Sequence, residues 1–146
     1  MFTFKADDLK RIENVLAGVF RTEDHYHRMV LENIEERRKL SFEIYSDIPI
    51  GKRRGNLVSV YTAASHLQLH FCSGYVVSEM LGEVTFVSQG EGKLSGLIIE
   101  KGAACSLFAN VDTDLLSGDF TRLGPEVMLS GVALSLTENL LQGPGA

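Results

Sequence analysis

Only two cysteines occur in the chain, no basic residue lies between Arg54 and Lys93, and no apolar run approaches the roughly 18 residues that a membrane helix needs. Each shortage excludes something. Cys72 and Cys105 have no Cys-x-x-Cys spacing, and a chain of this size does not need disulfide staples, so both are expected as reduced thiols in apolar surroundings. The start, with Lys5, Asp7 and Asp8 soon after Met1, lacks the apolar stretch of a secretory signal. The expectation is a soluble, cytoplasmic protein with no membrane association.

Motifs of catalysis and cofactor binding are also missing. Gly-x-Ser-x-Gly, the phosphate-cradling Gly-x-x-x-x-Gly-Lys-Ser/Thr and His-Glu-x-x-His do not occur. Gly90-Glu91-Gly92 lacks the third glycine and following helix of a dinucleotide loop. Asp112-x-Asp114, followed by Asp119, lacks the calcium loop's sixth-position glycine, where Ser117 stands, and its twelfth-position glutamate, where Leu123 stands. No cofactor, metal or catalytic residue is therefore assigned, and an enzyme is the less favoured reading.

What is present fits one ordinary domain of 146 residues and 16.1 kDa, 45% hydrophobic and 23% charged, rich enough in apolar residues to build a core. Residues 1–142 are read as that domain and 143–146 as a frayed tail. Charge is divided unevenly. Residues 1–54 hold 11 of the 14 Lys and Arg and are net +1, whereas 55–146 are net −6. An acidic chain with pI near 5.3 argues against nucleic acid as a partner. Two basic clusters, Arg37-Arg38-Lys39 and Lys52-Arg53-Arg54, would grip a phosphate or carboxylate if the fold brought them together.

Periodicity places the elements. Leu9, Ile12, Leu16 and Val19 or Phe20 recur at spacings of three and four, predicting a helix over 6–20 with Asp7 and Asp8 at its positive end. Tyr26, Met29 or Val30, and Ile34 predict a second helix over 23–38, with Thr22 as N-cap and the Arg37 cluster in its last turn. After Lys39 the period falls to two. Leu40, Phe42 and Ile44 begin the first strand, a long turn follows over 48–56, and strands are expected at 57–63, 66–72, 75–81, 83–89, 93–100 and 103–110. Their short connections forbid parallel crossovers, so the fold class is α+β: an antiparallel meander of six to seven strands, partly rolled toward a barrel. A loop over 112–124 and a C-terminal helix over 125–141, with a strand pair as the alternative, complete it.

The later strands are apolar on both faces, with Leu94 and Ile98 opposing Leu97 and Ile99, so something must cover each face. In Ser65-His66-Leu67-Gln68-Leu69-His70-Phe71-Cys72, alternation sets His66, Gln68, His70 and Cys72 on one face. There His66 and His70 stand about 13 Å apart, too far for one metal, whereas His70 and Cys72 at about 6.6 Å could converge. His25 and His27 are a second pair that a metal site could recruit. The favoured reading is a non-catalytic, self-associating binding module for an apolar small molecule or a protein partner, as a small acidic chaperone, adaptor or carrier. Its candidate ligand-binding residues are Tyr61, His66, His70, Cys72, Arg53 and Arg54. The alternative is an enzyme or metal-binding protein using His70 and Cys72 with Tyr61 and His66.

Overall fold

The computed structural model describes residues 2–90 and 92–112, the last three by their backbone. One helix, α1 (Ala6–Leu16), precedes nine strands: β1 (Arg21–Thr22), β2 (His27–Asn33), β3 (Arg38–Ile50), β4 (Arg53–Thr62), β5 (His66–His70), β6 (Gly74–Ser78), β7 (Glu83–Gly90), β8 (Lys93–Glu100) and β9 (Cys105–Asp112). They form two antiparallel sheets, each in simple sequence order: β1 to β5, then β6 to β9.

The α+β meander with two N-terminal helices and a rolled sheet is thereby corrected to a mostly antiparallel β structure with a single helix among the described residues. The sheets do not close into a barrel. The expected C-terminal helix over 125–141 and the loop over 112–124 lie essentially outside the described residues. The local, antiparallel pairing holds, because each connection within a sheet is a short turn.

The second helix fails for a definable reason. The stretch around Met29 satisfies both periods, and the strand wins because Met29 and Leu31 both enter the core while Arg28, Val30 and Glu32 face outward. Ile34, assigned to the apolar stripe, is 80% exposed in the hairpin turn. That turn is closed by Arg37 in the left-handed region (φ 54°) and by the Glu36 N–H donating to Asn33 Oδ1 at 3.2 Å. Thr22 caps no helix. Its hydroxyl meets His27 Nδ1 at 3.0 Å across β1 and β2.

Helix α1 stops at Leu16, four residues before the expected end, because Ala17 adopts φ 56° and turns the chain. Gly18 then passes so close to β2 that a methyl there would lie 2.6 Å from Met29 Sδ. The long turn over 48–56 is also shorter than expected. Ile50 pairs with Arg53, Pro49 with Arg54 and Ile48 with Gly55, so only Gly51 (φ 64°) and Lys52 form the loop. Register slips instead between Tyr45 and Ile48, a bulge where Asp47 takes φ 50°.

One core joins the two sheets. Met29, Leu31, Leu40, Phe42, Ile44, Val58, Val60 and Leu69 come from the first sheet, and Val77, Val84, Phe86, Leu97 and Ile99 from the second. The rings of Phe42 and Phe86 meet between them at 6.0 Å. Ile12, Val15 and Leu16 of α1 join the same core. The expectation of doubly apolar later strands is matched by burial: Thr85 and Ile98, facing away from Phe86 and Leu97, are 1% and 2% exposed.

Candidate functional site

The outer face of the first sheet gathers three of the six candidate residues singled out from sequence, Tyr61, His66 and His70. Pairing register lays them in rows. Val30, Ser41, Tyr61 and His66 are successive partners across β2, β3, β4 and β5. Arg28, Glu43, Ser59 and Gln68 form the next row, and Tyr45, Leu57 and His70 the one after.

Contacts within these rows are specific. The Tyr61 ring lies nearly parallel to the His66 imidazole, 4.3 Å between centroids at 11°. His66 Nε2 and Ser59 Oγ hydrogen-bond at 2.8 Å, which fixes the imidazole beneath the ring. Tyr45 donates to Glu43 Oε1 at 3.2 Å, and its ring meets Tyr26 at 5.1 Å. Burial, followed by the charge and hydrogen bond of Glu43, pushes the Tyr45 hydroxyl up to about 12, so it stays a donor at any ordinary pH. His70 Nε2 donates to Gln68 Oε1 at 3.1 Å.

A groove of about 350 Å³ runs beside the Tyr61 row, between Arg28, Val30, Lys39, Ser41, Tyr61 and Thr62. Val30 and Tyr61 are 47% and 40% exposed there. Among the described residues no carboxylate lines it, although Glu43 and Glu32 stand opposite Arg28 and Lys39 in the strand register.

Cys72 does not share this face. Phe71 takes φ 58°, which ends β5 and breaks the alternation, so the next side chain turns inward. Cys72 is 3% exposed, donates to the Gly74 carbonyl at 3.2 Å, and burial pushes its thiol up to about 11. It is neither a thiolate nor near His70 in orientation. Burial first, then the charge of Glu100, also raises Cys105. Among the described residues no group of three His, Cys, Asp or Glu converges as metal ligands.

Ser59 and His66 meet at the distance of a nucleophile and its base, but Ser59 is only 1% exposed beneath its neighbours. A substrate carbonyl has no approach to its oxygen. The contact positions His66 rather than activating Ser59.

The two basic clusters are kept apart. Arg38 begins β3 and donates to the Gly102 carbonyl at 3.3 Å, while Lys52-Arg53-Arg54 lie at the far end of the β3–β4 hairpin, about 40 Å away along the strand. Within the second cluster, Arg54 is spent on Asp47, pairing with its Oδ1 at 3.0 Å and donating also to its carbonyl. Arg53 instead lays its guanidinium over the Phe71 ring, 4.2 Å from the centroid.

Sequence reasoning missed Arg28, Val30, Ser41, Glu43, Tyr45 and Ser59 as neighbours of the histidine strand. Only strand register, a long-range property, brings them together. No family model, curated protein or solved structure matches the chain.

Proposed function

We propose that the protein is a non-catalytic binding module whose docking surface is the outer face of the first sheet, and that its occupant is a protein segment carrying aliphatic and acidic side chains. The carrying observation is the groove in which two exposed side chains with apolar surface, Val30 and Tyr61, stand beside Arg28 and Lys39, with no carboxylate among the described lining residues. Tyr61 is held flat by His66, and an aromatic ring ordered before binding loses little entropy when a partner covers it. The two cations favour carboxylates on the incoming segment and steer its approach.

The sheet interior argues against a carrier that encloses an apolar molecule, because Phe42 and Phe86 fill the space between the sheets. A catalytic role is disfavoured by the covered Ser59 and the inward Cys72. A second copy of the chain is the other occupant that the sequence suggests, and light scattering distinguishes it.

The test is selection from a displayed peptide library, followed by amide-exchange mapping on the intact protein. The expected result is enrichment of segments combining Leu, Ile or Val with Asp or Glu, protecting residues around 28–30, 39–41 and 61–62. Protection confined to other surfaces contradicts the reading, as does concentration-dependent dimerisation through this groove.

A further inference from the structure

The two sheets leave a second, chemically different opening at the end of the molecule where the β3–β4 and β7–β8 hairpins approach each other. It has a volume of about 420 Å³. Arg53 and Phe71 line it from the first sheet's side; Ser88, Gln89, Lys93 and Ser95 line it from the second. We propose that this pocket binds a small molecule through a phosphate monoester, held between Arg53 and Lys93.

Several independent features support an oxyanion here. Residues 55–112 carry only two basic side chains, Lys93 and Lys101, in a part of the chain that is otherwise acidic. One of those two lines the same pocket as an arginine that lies 40 residues earlier. Arg53 is an exposed guanidinium for which no hydrogen bond or ion pair occurs among the described residues, its contact being the Phe71 face. Stacking on an aromatic ring leaves the in-plane N–H donors of a guanidinium available. Lys93 has other contacts in the protein, and an ammonium with three N–H donors serves a ligand as well.

The Arg53 platform is built into the backbone. Gly55, two residues along β4, has no side chain because the Phe71 ring occupies that space; a methyl would sit 2.6 Å from Phe71 Cδ1. Phe71 reaches the position through its left-handed backbone, φ 58°. Glycine, strained phenylalanine and stacked arginine thus form one unit facing the serine and glutamine side chains of the opposite wall.

The arrangement favours phosphate over carboxylate. Donors approach from two sheets, and a tetrahedral dianion offers oxygens in several directions, whereas a planar carboxylate is satisfied best by one fork. The volume lies within the usual range for small-ligand sites. It accommodates a phosphorylated metabolite and leaves the remainder of that molecule against serine and glutamine, which accept or donate to hydroxyls.

Titration of the intact protein with inorganic phosphate, followed by amide NMR in a constant chloride background, tests the proposal. Glycerol 3-phosphate, a phosphoserine peptide and acetate form parallel arms. Saturable shifts are expected at Ser88, Gln89, Lys93 and Ser95, with half-saturation by phosphate at about 1 mM and tighter binding of glycerol 3-phosphate. Arg53→Ala and Lys93→Ala should each weaken binding by about tenfold, while Lys52→Ala, which removes an equal charge outside the pocket, should leave it unchanged. Arg53→Lys keeps the charge without the fork and should fall between. Thermal unfolding of each variant verifies that it is folded. Shifts that rise linearly without saturation overturn the proposal, as do equal losses in Lys52→Ala and Arg53→Ala. Tighter binding of acetate than phosphate overturns the assigned chemistry, and preference for the phosphopeptide overturns the small-molecule assignment.

Discussion

Tyr61 and His66 face each other directly across β4 and β5, and their rings stack at 4.3 Å on the open side of the first sheet. Both rings are oriented without burial. Tyr61→Ala should therefore cost little stability, about 1 kcal/mol, because the ring is substantially exposed and stacks on one ring, His66, among the described residues. Its effect on partner binding should be larger, tenfold or more, as for an aromatic anchor at an interface. Comparing denaturant midpoints with peptide affinity separates the two effects.

Phe42 and Phe86 make the central contact between the sheets, so truncating either should leave a cavity in the middle of the core. A loss of about 3–5 kcal/mol is expected for Phe42→Ala or Phe86→Ala, measured by urea unfolding. The double variant should lose less than the sum, because both substitutions empty one shared space.

These two relationships differ in how far they are legible in the sequence. Phe42 lies in an alternation of Leu40, Phe42 and Ile44, so its inward direction is local information, and α1 is legible through Ile12, Leu16 and the acidic first turn. The rows on the outer face are not, because Val30 meets Ser41 and Tyr61 only after hairpin register is set. The misassigned helix shows the same limit from the other side. Met29 and Leu31 match a strand, Met29 and Tyr26 match a helix, and tertiary burial decides between them. Cys72 was displaced from the histidine face by one backbone angle at Phe71, which no side-chain periodicity reveals.

Gly55→Ala should strike the Phe71 ring and disturb the Arg53 stack above it. Overpacking of this kind costs about 1–3 kcal/mol, and chemical shifts should move at Phe71 and Arg53. Gly51→Ala has open space around its new methyl but keeps φ 64°, so its smaller penalty, about 1 kcal/mol, should be confined to the turn.

Asp8 and Tyr75 give stability a dependence on pH at both extremes. Tyr75 donates to Asp8 Oδ1 at 2.6 Å, and the Lys5 N–H donates to the other oxygen at 2.8 Å. The hydrogen bond from Tyr75, followed by that from Lys5, holds the Asp8 carboxyl below its usual 3.8. Its contribution is present above that value and is lost as acidification carries pH through the lowered one. Burial and the bond to Asp8 push the Tyr75 hydroxyl from 10 up to about 12, so its contribution is complete below pH 10 and is lost between about 10 and 12. Tyr75→Phe should flatten both limbs in a plot of unfolding free energy against pH.

The buried Cys72 thiol should resist modification in the folded protein. Burial that raises it to about 11 leaves little thiolate at neutral pH and also blocks access. Labelling by a disulfide reagent should be slow under native conditions and rapid after unfolding, with Cys105 reacting first because it is less buried.

The most direct measurement of the central claim is amide-exchange mapping of the intact protein with a selected aliphatic and acidic peptide, repeated on Val30→Ser and Tyr61→Ala. Protection along the Val30–Ser41–Tyr61 row, with affinity reduced about tenfold or more in each variant while folding is retained, is the predicted result. Undiminished affinity in both variants, or protection on the opposite side of the molecule, would contradict it.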